Sequence, residues 1–75
     1  MQIIKGKRFK IIKLSQKLKP YFRQKLLAMG LVPGAVFEVK RLAPLGDPIQ
    51  ITIHGFELSL RRRDLDMLEL LECLE

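Results

Sequence analysis

The sequence predicts a mainly β domain: a small barrel of short strands built around one short α-helix. Three observations predict it. Residues 49–60 alternate apolar and polar side chains on both arms of a tight hairpin. Residues 20–29 carry an apolar stripe at helical spacing, opened by a proline and closed by a glycine. Further short alternating segments flank these two, and short strands around a single helix are best accommodated by a barrel, which removes most free sheet edges. The 75 residues make one domain, spanning residues 1–75. A chain of this length buries only about 60% of the surface its unfolded form exposes, so its stability reserve is small. Its 48% hydrophobic content still allows it to fold alone.

The first strand lies within residues 8–14. Phe9 and Ile11 share one face with Lys10 opposite, then the alternation slips so that Ile12 and Leu14 face one way. The slip predicts a bulge or strong twist near Ile12. The helix follows. Pro20 suits its first position, where the missing N–H is not needed. Leu18, Phe22, Leu26 and Met29 form the apolar stripe, with Arg23, Gln24 and Lys25 facing outward. Gly30 supplies the left-handed residue that ends the helix, and Pro33 prevents its continuation. Lys19, at the N-cap, caps poorly and sets a positive charge at the wrong end of the helix dipole.

Pro33-Gly34 fits the centre of a type II turn. A strand runs from Val36 to Leu42, with Phe37 and Val39 on one face against Glu38 and Lys40. Pro44, Gly46 and Pro48 mark residues 43–48 as an ordered loop. With His54-Gly55 as a two-residue hairpin loop, Ile53 faces Phe56, Ile51 faces Leu58 and Ile49 faces Leu60, all inward. Gln50 then meets Ser59 and Thr52 meets Glu57, a match that a slip of one residue would destroy. Histidine tolerates the positive φ of such loops better than most residues. The last segment reads two ways. Leu65, Leu68, Leu71 and Cys73 suit one helix on propensity, or a helical turn at residues 62–66 followed by a strand at 68–73. The second is preferred, because a barrel needs a final strand.

Charge is distributed unevenly. The net charge is +6, yet residues 1–25 hold nine Lys or Arg and no acid, while residues 64–75 hold Asp64, Asp66, Glu69, Glu72 and Glu75 and no base. Two readings stay open: terminal strands of opposite charge that pair, or a basic surface for an acidic protein, nucleic acid or anionic lipid. Arg61-Arg62-Arg63 is the densest run. It can end a strand in solvent and pair with Asp64 or Asp66, or hold phosphate through its planar guanidinium groups. Nucleic-acid binding by a small barrel adds exposed aromatic platforms. Phe9, Phe22, Phe37 and Phe56 fit inward stripes and Tyr21 alone looks free, so nucleic acid is the less favoured partner.

Little in the chain suggests chemistry. His54 and Cys73 are the only imidazole and thiol, and neither sits in a metal-ligand spacing. His54 reads as a turn residue and Cys73 as a small buried hydrophobe or a bystander near the terminus. Carboxylates near the three arginines would hold a divalent ion only weakly. Ser15 and Ser59 have no His–acid partner set, and no phosphate-cradling glycine loop is present. No catalytic residue, metal site or cofactor is expected, so the expectation is that the chain is not an enzyme. A single cysteine suggests a reducing compartment. No apolar run approaches the roughly 18 residues of a membrane span, and Lys5, Lys7 and Arg8 interrupt any signal-peptide core. The expected location is the cytoplasm.

Three segments together carry a resemblance. Residues 21–34 (Tyr21 to Gly34), with their Gly-x-x-Pro-Gly turn, look like the helix and turn of the FeoA family. Residues 43–49 resemble that family's Pro-Leu-Gly-Asp-Pro loop, and residues 58–65 its basic turn before the last strand. The resemblance implies an SH3-like β-barrel and a cytosolic accessory role in bacterial ferrous iron uptake. The implied partner is the cytoplasmic, G-protein-bearing part of FeoB, the membrane ferrous iron transporter. Transition-metal binding comes only at the level of the family, with no residues assigned to it. The alternative function is a basic SH3-like nucleic-acid-binding module, and weak self-association stays open. Physical reasoning places docking at a groove between helix 20–29 and loop 43–48, because rigid elements lose little entropy on binding. The candidate partner-binding residues are Tyr21, Leu31, Val32, Pro44, Leu45 and Asp47, with Arg23 and Lys25 at the rim. Leu31 and Leu45 also admit a simpler reading as covers of the barrel ends.

Overall fold

A computed structural model describes residues 2–74. The elements in chain order are β1 (Arg8–Leu14), α1 (Pro20–Ala28), β2 (Val36–Leu42), β3 (Ile49–Ile53), β4 (Phe56–Leu60), α2 (Arg62–Leu65) and β5 (Leu68–Glu72). The strands form one antiparallel sheet in the order β4-β3-β2-β1-β5. The C-terminal segment is therefore the helical turn plus strand, and the single-helix alternative falls.

The sheet coils round a core of Phe9, Ile11, Phe37, Val39, Ile49 and Ile51, each at most 1% exposed, with Leu26 of α1 and Leu65 of α2 packed against them. The hairpin pairs in the expected register, with Ile53 opposite Phe56, Ile51 opposite Leu58 and Ile49 opposite Leu60. His54 takes φ 51° and Gly55 φ 79° in its loop. At Pro33-Gly34, the Ala35 N–H donates to Val32 O at 3.0 Å, closing the turn. The terminal strands of opposite charge do pair. β1 lies beside β5, Lys13 faces Glu69 in register, and Lys7 Nζ meets Glu72 Oε1 at 3.2 Å.

Three local expectations are corrected. The barrel is open: no ladder joins β4 to β5, because residues 61–67 between them turn through α2, and Leu65 fills the seam from inside. The β1 bulge falls where the alternation slips, between Ile11 and Lys13. It turns Ile12 outward, at 41% exposed, while Leu14 enters the core, so the two do not share a face. Phe56, expected inward, is 70% exposed. Its strand is a sheet edge with a neighbour on one side only, so burial of its side chains depends on what packs over its face. Leu26 of α1 and Met29 just after it border the Leu60 end of β4, and burial fades from Leu60 through Leu58 to Phe56.

Helix α1 begins as expected at a weak cap. Lys19 makes no side-chain capping bond, and the first turn holds no acid. Lys19→Ser should therefore raise stability by about 0.5–2 kcal/mol, by giving an orphan backbone N–H an acceptor and removing an ill-placed charge. Thermal denaturation followed by circular dichroism measures this, and an unchanged or lower midpoint contradicts it.

Candidate functional site: a face built on the second helical turn

Loop 43–48 is ordered because it is clamped from outside. The Gly46 N–H donates to Ala43 O at 2.7 Å and the Ala43 N–H to Pro48 O at 3.1 Å. Asp47 Oδ1 accepts the Arg62 backbone N–H at 3.0 Å, and Arg62 Nε donates to Gly46 O at 2.8 Å. Arg61 Nη1 lies 3.9 Å from Asp47 Oδ2. The arginine run thus serves first as a clamp. Its structural partner is Asp47, and Asp64 Oδ2 accepts the Arg61 backbone N–H at 3.1 Å to start α2. The clamp leaves Leu45 at the loop tip 96% exposed.

The expected groove between α1 and this loop is replaced by a different arrangement, in which α2 binds the loop on one side and borders α1 on the other. Two grooves run along α1, and Arg63 and Asp64 of α2 line both. The first, of about 290 Å³, has Leu18 and Phe22 on the α1 side and Met67 after α2, with Lys17, Lys19 and Arg63 around it. The second includes Lys25 and Leu26 of α1 and Met29 just after it, with Ser59 and Leu60 of β4.

The expected docking residues distribute accordingly. Tyr21 is 79% exposed at the start of α1; Arg23 is exposed beside it and donates from Nη1 to Ser15 O at 3.3 Å. Lys25 borders the second groove, Val32 is half-buried against the core, and Pro44, Leu45 and Asp47 lie on the clamped loop. Leu31 is a correction. It is 0% exposed and belongs to the core, so it has no surface with which to dock. The cause is the way α1 ends. The Gly30 N–H donates to Leu27 O at 3.0 Å and the Leu31 N–H to Leu26 O at 3.1 Å, with Gly30 at φ 89°. This paired cap turns the chain inward and sets the residue after glycine against the helix residue five positions back. The Leu26…Gly30-Leu31 pattern held that signal.

Sequence reasoning missed Leu18, Phe22 and Met67 as a shared apolar floor, and Lys17 and Lys19 as its rim. Lys17-Leu18-Lys19 was the available sign. Among the described residues, no cluster of three or more His, Cys, Asp or Glu side chains could hold a metal. His54 donates from Nε2 to Gly30 O at 3.2 Å, and the Cys73 backbone N–H donates to Arg8 O at 2.8 Å. No helix among the described residues is long and apolar enough to cross a membrane.

An open antiparallel barrel of the SH3-like kind, with a helical turn between its edge strands that carries the surface grooves, defines the structural class of this molecule. The chain belongs to the FeoA domain family, whose profile matches residues 1–70. The solution structure of iron(II) transport protein A from Clostridium thermocellum is similar to it at 35% identity and a TM-score of 0.82, covering 92% of this chain and 41% of that one. A FeoA-like protein from Clostridium acetobutylicum is 28% identical with a TM-score of 0.85, covering 99% of this chain and 84% of that one. Among curated proteins, an Fe(2+) transport protein A/Fe(2+) transporter FeoB fusion protein of Porphyromonas gingivalis is 42% identical over 48 residues. That match takes in 64% of this chain and 6% of the fusion protein, so the chain corresponds to a small part of that relative's length.

Proposed function

We propose that this chain is a cytoplasmic accessory component of bacterial ferrous iron uptake that acts by contact with the FeoB transporter's cytoplasmic part, and not by catalysis. The observation that carries this reading is the fusion relative, in which a FeoA-type segment and the transporter share one polypeptide. Two partners fused in one chain are held at high effective concentration, an arrangement suited to pieces that work in contact. The exposed Tyr21 on α1 and Leu45 on the clamped loop support contact as the mode of action, since large apolar groups on pre-ordered elements lose little freedom when covered. The candidate docking residues are Tyr21, Arg23, Lys25 and Val32 on and after α1, and Pro44, Leu45 and Asp47 on the loop clamped by α2.

Two measurements test this. Cells that lack the protein but keep the transporter should take up ferrous iron poorly at low iron, and normal uptake would count against the role. The Tyr21→Ala/Leu45→Ala pair touches only exposed side chains, so it should fold normally yet co-purify with the transporter at least tenfold less. Retention equal to wild type would remove the proposed face.

The exposure of Phe56 gives the nucleic-acid reading a second free aromatic besides Tyr21. The two rings do not make one platform. Tyr21 opens α1, while Phe56 follows the hairpin loop whose His54 touches Gly30 at the helix's other end, about 12 Å away along α1. If that reading held, a gel shift with mixed RNA and DNA would show affinity falling steeply with salt.

A further inference from the structure

We propose that the groove between α1 and α2 is the seat for an acidic segment of the partner protein that carries a large apolar side chain, leucine or phenylalanine, flanked by carboxylates. This deepens the reading of the chain as a transporter-docking protein and rests on it for the partner's identity.

The argument begins with size and lining. A cavity of about 150 Å³ with aliphatic and aromatic walls accepts a benzene ring, and this groove offers about 290 Å³ above Leu18, Phe22 and Met67. All three floor residues are half-buried, and Leu18 and Phe22 pack against the core beneath while the groove keeps apolar surface above. An open groove of that size is large enough to receive one or two side chains.

Charge then selects the occupant. Lys17, Lys19 and Arg63 are exposed around the groove, and Asp64 is the single acid in its lining. Among the described residues, none of the three cations has an ion-pair partner, whereas Asp64 is already engaged by the Arg61 N–H. The rim is held in shape: the Lys17 N–H donates to Ser15 Oγ at 3.1 Å and the Ser15 N–H to Met67 O at 2.7 Å, tying the turn before α1 to the turn after α2. The same end of α1 bears Lys19 where a capping acid or hydroxyl would be more stable. An arriving carboxylate would meet three cations with no competing acid to displace. Anionic lipid is the weaker fit, since sequence-readable lipid clusters hold about four to eight cations. Nucleic acid is weaker as well, because the groove holds a single half-buried ring, Phe22, and no row of exposed aromatic platforms.

The test uses isotope-labelled protein and three synthetic peptides: one with two leucines among glutamates, its glutamine analogue, and its alanine-for-leucine analogue. The acidic leucine peptide should shift the amide resonances of residues 17–22 and 63–67, and both analogues should bind at least tenfold more weakly. Lys17→Glu/Lys19→Glu should also lose at least tenfold in peptide affinity. Lys10→Glu/Lys40→Glu, which changes net charge equally on exposed strand positions, should stay within twofold. Equal losses in both double variants, equal binding by the glutamine analogue, or shifts centred elsewhere would overturn the proposal. So would stronger retention on phosphatidylserine vesicles than on the peptide. Diffusion measurements address a second copy of this chain as the occupant, since it carries Leu71 and Leu74 exposed among Glu69, Glu72 and Glu75. Self-association abolished by Lys17→Glu/Lys19→Glu would overturn the partner assignment in favour of that copy. Co-purification with the transporter separates the two levels. If wild type fails to co-purify, the docking function falls, while the peptide titration still tests the groove. If wild type co-purifies and Lys17→Glu/Lys19→Glu does so equally well, only the groove assignment falls.

Discussion

Phe37→Ala is expected to lower the thermal midpoint by about 12–40 °C, enough to leave much of the protein unfolded at physiological temperature. Phe37 is 1% exposed, pairs with Phe9 across the β1–β2 ladder, and its ring centroid lies 5.7 Å from that of Phe9. Truncating a buried phenylalanine costs about 3–5 kcal/mol, from lost transfer energy and the cavity left behind. A chain of 75 residues has a total stability of only about 4–11 kcal/mol at typical per-residue values. For a domain of this size each kcal/mol moves the midpoint by about 4–8 °C. The loss is therefore a large part of the whole. Phe56→Ala is the matched control. Its ring is 70% exposed on the edge strand, so the same truncation should change stability by less than about 1 kcal/mol. Chemical denaturation of both variants decides the matter. Similar losses would mean that the hairpin's edge strand packs inward along its whole length.

That contrast shows why the strand pattern was legible and the burial was not. The register of β3 against β4 follows from period-two alternation and a two-residue loop, each of which fixes the other, so every pair could be written down from the sequence. Alternation assigns a side chain to a face. It does not say whether the face is covered, because cover comes from other elements. Phe37 and Phe56 have the same local pattern, yet one strand lies inside the sheet and the other at its edge. Ile12 is a similar case. The slip in pattern located the bulge, but only the pairing with β5 decides which residue is pushed out.

The candidate site was legible in its parts and not in its assembly. The ordered loop, the basic turn and the short helix were each visible from proline, glycine and arginine placement. Their arrangement depends on Arg62 reaching Asp47 and Gly46, and on Met67 arriving beside Phe22. No local rule specifies contacts across such separations. Leu31 failed for the opposite reason. The information was local, in the glycine cap and the leucine after it, and it specified burial where exposure was expected.

The second large effect is expected at that same cap. Gly30→Ala should destabilise the protein by about 2–3 kcal/mol through two separable causes. Gly30 sits at φ 89°, in the left-handed region, where an L side chain costs about 1–2 kcal/mol. In addition, a Cβ at this position would lie 3.0 Å from His54 Cδ2, so the imidazole must give by a few tenths of an ångström, which disturbs its bond from Nε2 to Gly30 O. That bond is worth about 0.5–1.5 kcal/mol. A double-mutant cycle resolves the two. His54→Gly keeps a residue that accepts φ 51° in the hairpin loop while removing the ring. In the His54→Gly background, Gly30→Ala should cost only the backbone strain, leaving a coupling of about 0.5–1.5 kcal/mol between the two positions. Additive losses would show that the helix end and the hairpin tip are fixed independently. Coupled losses would show that this contact adds to the burial of Leu26 and Leu31 in fixing the far end of α1 against the hairpin. The position of the docking residues on α1 would then depend in part on the hairpin tip.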